Sequence, residues 1–210
     1  METILKSGVY KILKVFYDNG NSSVHLRGIS RATKLNENSA SRFLNFLTDS
    51  KILISEKSEG ARRFFVADNF VKIVFPLFDY EKFEKLPYKI KKSIEDYISF
   101  LKSKSSCLIL YGSNSRGTAN KNSDIDILEI NSSKEKFLQV LKKIESQRGV
   151  KIQVTRVSSD KLKEAMERDN VIKSAIKTGF PVFGRDFFYE LIDNNNNQNK
   201  REIKKWKKNY

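Results

Sequence analysis

From Cys107 to Ile130 the chain reads CLILYGSNSRGTANKNSDIDILEI, two β-prone apolar runs separated by a polar, glycine-containing loop. Apolar runs bounded by turn residues predict strands, here over Cys107 to Tyr111 and Asp124 to Ile130. A helical pattern over Lys134 to Arg148 then leads to a third β-prone run, Val150 to Val157. A last helix is predicted from about Asp160 to Lys177, before the short run Phe180 to Phe183. Strands alternating with helices in this way require a sheet covered by helices, so this half of the chain is expected to be an α/β or α+β domain.

The first half has a different grammar. Ile4, Val9, Ile12, Leu13 and Phe16 recur at helical spacing until the turn residues Asp18 to Ser23. His25 to Thr33 predicts a short second helix with Leu26, Ile29 and Ala32 inward. Glu37 to Ser50 predicts a third, with Ala40, Phe43, Leu44 and Leu47 on one face and Asn38, Ser39, Ser41, Arg42 and Asn45 on the other. The runs Ile52 to Ser55 and Arg62 to Val66, joined by the polar turn Glu56 to Gly60, predict a hairpin. Three helices followed by a hairpin make a winged helix-turn-helix. Asp68 to Tyr88 then carries six aromatic residues and the prolines Pro76 and Pro87, and is expected to be a packing connector. After Pro87, the stripe Ile90, Ile94, Tyr97, Ile98 and Leu101 predicts an amphipathic helix.

Charge narrows the partners. The chain holds 40 Lys+Arg against 25 Asp+Glu, a formal +15, and a field of that sign attracts polyanions. Cys107 is the single cysteine, which excludes an intramolecular disulfide and the usual Cys/His zinc site and fits a reducing cytoplasm. No run approaches the roughly 18 apolar residues of a membrane span, so a soluble protein without a membrane partner is expected. The last residues, IDNNNNQNKREIKKWKKNY, read either as an electrostatic arm or as a solubilising tail.

Asp124 and Asp126 are the acidic exception. Side chains alternate along a strand, so Asp124, Asp126 and Leu128 share one face while Ile125, Ile127 and Glu129 take the other. Two neighbouring carboxylates repel unless a cation separates them, and hard oxygen ligands suit Mg²⁺ or Mn²⁺. Upstream, Gly112 permits close backbone approach and the Ser113 hydroxyl, with the N–H groups of a following helical turn, can hold phosphate oxygens. Arg116 can add a positive charge there or pair with a carboxylate. Cation, phosphate cradle and glycine turn together describe a nucleoside triphosphate site. His25, the sole histidine, is expected to pack or cap the second helix.

The segment Gly112-Ser113, ten residues, Asp124-Ile125-Asp126, with Arg116-Gly117 inside it, resembles the signature of the DNA polymerase beta-like nucleotidyltransferase superfamily, in particular its minimal members. The resemblance spans about Ile90 to Gly184. It implies a mixed-sheet core, metal roles for Asp124 and Asp126, and Mg²⁺-dependent transfer of a nucleoside monophosphate from a triphosphate with release of pyrophosphate. It also implies a third carboxylate on the strand after the next helix, where this chain has Gln153. Gln is neutral and cannot deprotonate an attacking hydroxyl, although its carbonyl oxygen can face a metal. Asp160, seven residues beyond, is expected to open the next helix. Likeness to toxin-neutralising small nucleotidyltransferases points by analogy to a protein acceptor.

The first half resembles winged-helix domains of the MarR and ArsR type through His25-Leu26-Arg27-Gly28-Ile29 and Asn36 to Leu44. That resemblance implies base reading by Ser39, Ser41, Arg42 and Asn45, phosphate contacts by Arg62 and Arg63, and a homodimer on DNA. Such modules also serve as protein-interaction domains. The expected organisation is therefore α+β: a winged helix-turn-helix at 1–68, an aromatic connector at 69–89, a nucleotidyltransferase domain at 90–190 and a disordered tail at 191–210. Two functions are carried forward, a nucleotidyltransferase with a DNA-binding domain and a DNA-binding regulator that only senses nucleotide.

Overall fold

The structure is a computed structural model, and it describes residues 7–58, 60–101, 105–131 and 138–193. Ile4 of the first predicted helix, the beginning of the helix expected from Lys134 and most of the expected tail lie outside the described residues. The chain divides into two units, Met1–Phe78 and Asp79–Tyr210.

The first unit runs α1 (Ser7–Asp18), β1 (Val24–His25), α2 (Leu26–Thr33), α3 (Glu37–Asp49), β2 (Leu53–Ser58) and β3 (Ala61–Val66). β3 is central in an antiparallel three-stranded sheet of order β1-β3-β2. Helical periodicity places Ile12, Leu13 and Phe16 of α1, Ile29 of α2, and Ala40, Leu44 and Leu47 of α3 in one buried core. Asn36 starts α3 by accepting the Ser39 N–H at 2.8 Å, a standard way to satisfy an orphan donor. On α2 the buried position is Thr33 rather than Ala32, because the Thr33 hydroxyl donates to the Ile29 carbonyl at 2.7 Å.

The aromatic segment differs from the expectation of a connector. Residues Asp68–Glu84 form a helix, α4, with Pro76 inside it, and the unit boundary falls within this helix. Val71, Val74, Phe75 and Phe78 bury one face of α4, and the Phe75 ring meets Tyr17 edge-on at 5.3 Å between centroids. Packing of that face outweighs the hydrogen bond that an interior proline removes.

The second unit continues with α5 (Tyr88–Leu101), β4 (Ser105–Tyr111), α6 (Gly112–Arg116), β5 (Ile125–Asn131), α7 (Leu138–Arg148), β6 (Ile152–Ser158), α8 (Leu162–Arg168), α9 (Asn170–Thr178) and β7 (Phe180–Phe183). The sheet has the order β6-β5-β4-β7 and is mixed: β5 pairs parallel with β6, while β4 pairs antiparallel with β5 and β7. Leu108, Leu110, Ile125, Ile127 and Ile152 pack with Ile94, Tyr97 and Leu101 of α5 and Ile144 of α7. The alternate residues Cys107, Ile109, Leu128 and Ile130 are buried as well, which explains why β4 and β5 read as continuous apolar runs. Burial, and after it the Asp79 charge, pushes the Cys107 thiol up to about 12.

The single last helix expected over Asp160 to Lys177 is two helices. Asp169 separates them, its carboxylate accepting the Val171 and Ile172 N–H groups at 2.8 and 3.3 Å to cap α9.

Candidate active site

β4 and β5 bring the two halves of the motif together. Tyr111 is the register partner of Asp126, so the chain leaving β4 turns into α6 beside that carboxylate. Gly112 makes the turn at φ +71°, and a Cβ there would lie 2.1 Å from Asp126 Oδ2. Glycine is therefore required twice, for the left-handed backbone and for the space the carboxylate occupies.

Asp124 stands one residue before β5 rather than on it. Side-chain turns build the loop that leads to it. Ser123 Oγ accepts the Asn120 N–H at 2.9 Å, and Asn120 Oδ1 accepts the Asn122 N–H at 2.9 Å. Asn114 of α6, itself buried, donates its amide to the Asp124 carbonyl at 2.8 Å. α6 thus holds the Asp124 peptide although ten residues separate them.

The repulsion within the pair is only partly relieved. Partial burial pushes the Asp126 carboxyl above its ordinary value, the neighbouring Asp124 charge pushes it further, and only the Arg116 guanidinium opposes them. Across the parallel pair, Gln153 is the register partner of Asp126, and its side-chain amide donates to Asp124 Oδ2. Lys151 Nζ lies 3.8 Å from the same oxygen. Tyr111 and Thr155 close the side of the site with a 3.0 Å hydroxyl contact. Asp160, expected to open a helix, is drawn below the ordinary carboxylate range first by the Ser158 hydroxyl.

Glu129 is a different carboxylate. It faces the other side of the sheet, is fully buried, and accepts from Tyr97 (2.8 Å), Ser105 (2.7 Å), Asn131 (2.9 Å) and Arg156 (2.8 Å). Burial alone would raise its carboxyl, and the hydrogen bonds from Ser105, Asn131, Tyr97 and Arg156 outweigh that and hold it below the ordinary value.

Residues 90–179 match the family model of the nucleotidyltransferase domain. A crystal structure of a toxin–antitoxin with AMP-PNP is similar at 19% identity, covering 55% of this chain and 95% of that one with a TM-score of 0.36. No curated protein matches the chain. Asp124, Asp126, Gly112, Ser113, Arg116 and Gln153 all fall inside the residues that match this model. Among the described residues no cluster of three or more His, Cys, Asp and Glu is placed to hold a metal. A hard divalent ion that keeps waters and phosphate oxygens in its shell needs no more than one or two carboxylates. The mutual repulsion of the two neighbouring carboxylates fits such an ion.

In the first unit, Asn45 and Arg62 meet, the guanidinium donating to the amide oxygen at 3.3 Å. Ser41, Asn45 and Arg62 line one cavity of about 820 Å³, together with Arg27, Arg31 and His25. Arg63 is not among its lining residues, and alternation along β3 turns it to the face opposite Arg62. Ser39 and Arg42 also lie outside the cavity lining, and the Arg42 guanidinium sits 5.5 Å from the centre of the Phe43 ring.

Asn114, Lys151 and Tyr111 were not legible as site residues. Asn114 sits in the motif itself, and its short polar side chain next to Ser113 was the available signal. Lys151 and Tyr111 enter only through strand pairing.

Proposed function

We propose that the chain is a Mg²⁺- or Mn²⁺-dependent nucleotidyltransferase that transfers a nucleoside monophosphate to a protein or nucleic acid, with a DNA-binding winged-helix unit at its N-terminus. The observation that carries this reading is the Asp124/Asp126 pair held beside Gly112 within the nucleotidyltransferase domain. An acceptor hydroxyl oxygen forms a bond to the α-phosphorus as its proton passes to water, the α–β bridging P–O bond breaks, and pyrophosphate leaves with its electron pair. A divalent cation held there would supply positive charge that offsets the charge developing in the displacement. Asp124 and Asp126 hold the cation, Ser113 and the Gly112 turn meet phosphate oxygens, and Arg116 faces the triphosphate with a positive charge. Ser39, Ser41, Arg42, Asn45, Arg62 and Arg63 are the proposed DNA contacts of a cytoplasmic homodimer.

Gln153 favours a second reading, a DNA-binding regulator that holds nucleotide without fast transfer. In place of a carboxylate opposite Asp126 stands an amide that donates to Asp124 and has no capacity to take the hydroxyl proton.

Incorporation of labelled nucleotide with Mg²⁺ separates the two. The transfer reading expects label with the native chain, loss in Asp124→Asn/Asp126→Asn, and faster transfer in Gln153→Asp. No label from either the native or the Gln153→Asp chain, with triphosphate still bound, supports the regulator instead. Salt-dependent DNA binding weakened by Arg62→Ala would support the DNA contacts; unchanged binding would remove them.

A further inference from the structure

We propose that Lys151 and Gln153 adapt this site to a single divalent cation, the Lys151 ammonium supplying the second positive charge at the carboxylate pair. The inference rests on the nucleotidyltransferase reading and concerns how its metal site is completed.

The parallel pairing of β5 with β6 makes the site a four-cornered array. Ile125 pairs with Ile152 and Asp126 with Gln153. One step earlier, the Ile125 N–H donates to the Lys151 carbonyl at 2.9 Å, which anchors the Lys151 backbone next to Asp124. Asp126 and Gln153 face each other on the strands, and Asp124 and Lys151 each stand one residue before those strands, so two acids on one edge confront a cation and an amide on the next. The side chains meet accordingly. Lys151 Nζ is 3.8 Å from Asp124 Oδ2, and the Gln153 amide donates to that same oxygen.

Charge decides how many divalent ions such an array takes. Two carboxylates carry two negative charges, which the exposed Lys151 ammonium and Arg116 guanidinium offset only in part. One divalent ion is accommodated because the negative charge that remains on the pair still attracts it. A second, at the short separation of a two-metal site, would need a further carboxylate to offset the repulsion between the ions. The position opposite Asp126 that would supply it holds a neutral amide. Glu129 is no substitute, since it is fully buried on the other face of the sheet with its oxygens engaged.

The test is Mn²⁺ binding to the full chain at low ionic strength, followed by the electron paramagnetic resonance of free Mn²⁺ and referenced to Asp124→Asn/Asp126→Asn. The native chain is expected to bind one Mn²⁺ above that reference. Lys151→Ala should still bind one, roughly three- to tenfold more tightly, because a nearby like charge has gone. Lys151→Ala/Gln153→Asp should bind two. In metal-free buffer Lys151→Ala should also weaken inorganic tripolyphosphate binding, a change that a lysine with only a structural role would not produce. Two carboxylate-dependent Mn²⁺ ions in the native chain, or an unchanged Mn²⁺ affinity in Lys151→Ala, would overturn the inference and leave metal-dependent transfer standing. No Mn²⁺ above the reference in the native chain or any variant would overturn both.

Discussion

Asp126 and Glu129 sit three residues apart on β5 and face opposite sides of the same sheet. Glu129 is the more buried of the two, yet its carboxyl is held low because Ser105, Asn131, Tyr97 and Arg156 all donate to it. Asp126 is only partly buried, yet its carboxyl is raised, first by that burial and then by the neighbouring Asp124 charge, with the Arg116 guanidinium opposing both. Depth therefore does not distinguish a structural acid from a ligand-binding one; the completeness of its partners does. The satisfied acid stabilises the fold, whereas the Asp124/Asp126 pair keeps a repulsion that Arg116 and Lys151 offset only in part.

The sharpest way to break this comparison is to empty the buried end. Glu129→Ala strands Tyr97 and Arg156 and is expected to cost about 3–5 kcal/mol, visible as a drop on the order of 10 °C in the thermal transition of the second unit. The pH dependence has a definite sign. A carboxyl held below its unfolded value of 4.5 stabilises the fold above that value, and the contribution is lost as pH falls through the lower folded value. Glu129→Gln should therefore flatten the acid limb of the native stability curve below about pH 4.5; an unchanged acid limb would show that Glu129 is not held low.

Gly112→Ala attacks the other end. The left-handed φ of +71° and the 2.1 Å approach to Asp126 Oδ2 predict a loss of about 1–3 kcal/mol together with weakened Mn²⁺ binding. Urea unfolding and metal titration of the same variant measure the two effects, and intact metal binding would mean that Asp126 is free to move aside. Smaller again is Asn114→Ala, which removes the 2.8 Å tether to the Asp124 carbonyl. It should cost about 1 kcal/mol, or roughly 2–4 °C, with little change in the rest of the fold by circular dichroism.

The smallest effect has the opposite sign. Asp126 is raised in the folded state, so folding holds its proton more tightly and stability falls as pH rises from the unfolded value of 3.8 through the folded one. Without metal, Asp126→Asn should raise the midpoint near pH 7 by up to about 2 °C. Added Mg²⁺ should then stabilise the native chain and not the variant. A variant less stable than the native chain without metal would show that the carboxylates do not repel.

Much of the second unit was legible because its signals are local. The apolar runs of β4, β5 and β7, the stripe of α5 and the Gly112-Ser113 and Asp124-Ile125-Asp126 spacing all depend on residues close in the chain. At the aromatic segment a local preference was overruled by packing. Pro76 and the aromatic density of residues 69–89 argued against a helix, and burial of Val71, Val74, Phe75 and Phe78 made one. The break at Asp169 did carry a local signal, an acidic cap before Val171 and Ile172, that the helical periodicity on either side concealed.

The sequence by itself determined which residues can form strands and helices, and that Asp124 and Asp126 follow a glycine turn, because side-chain periodicity and backbone freedom are properties of neighbouring residues. Tertiary structure alone decided that Gln153 stands opposite Asp126, that Lys151 reaches Asp124, and that Glu129 is satisfied by four donors. A parallel pair has no hairpin to set its register. Packing on both faces of the sheet sets it instead, and with it the partners that separate a structural carboxylate from a candidate ligand.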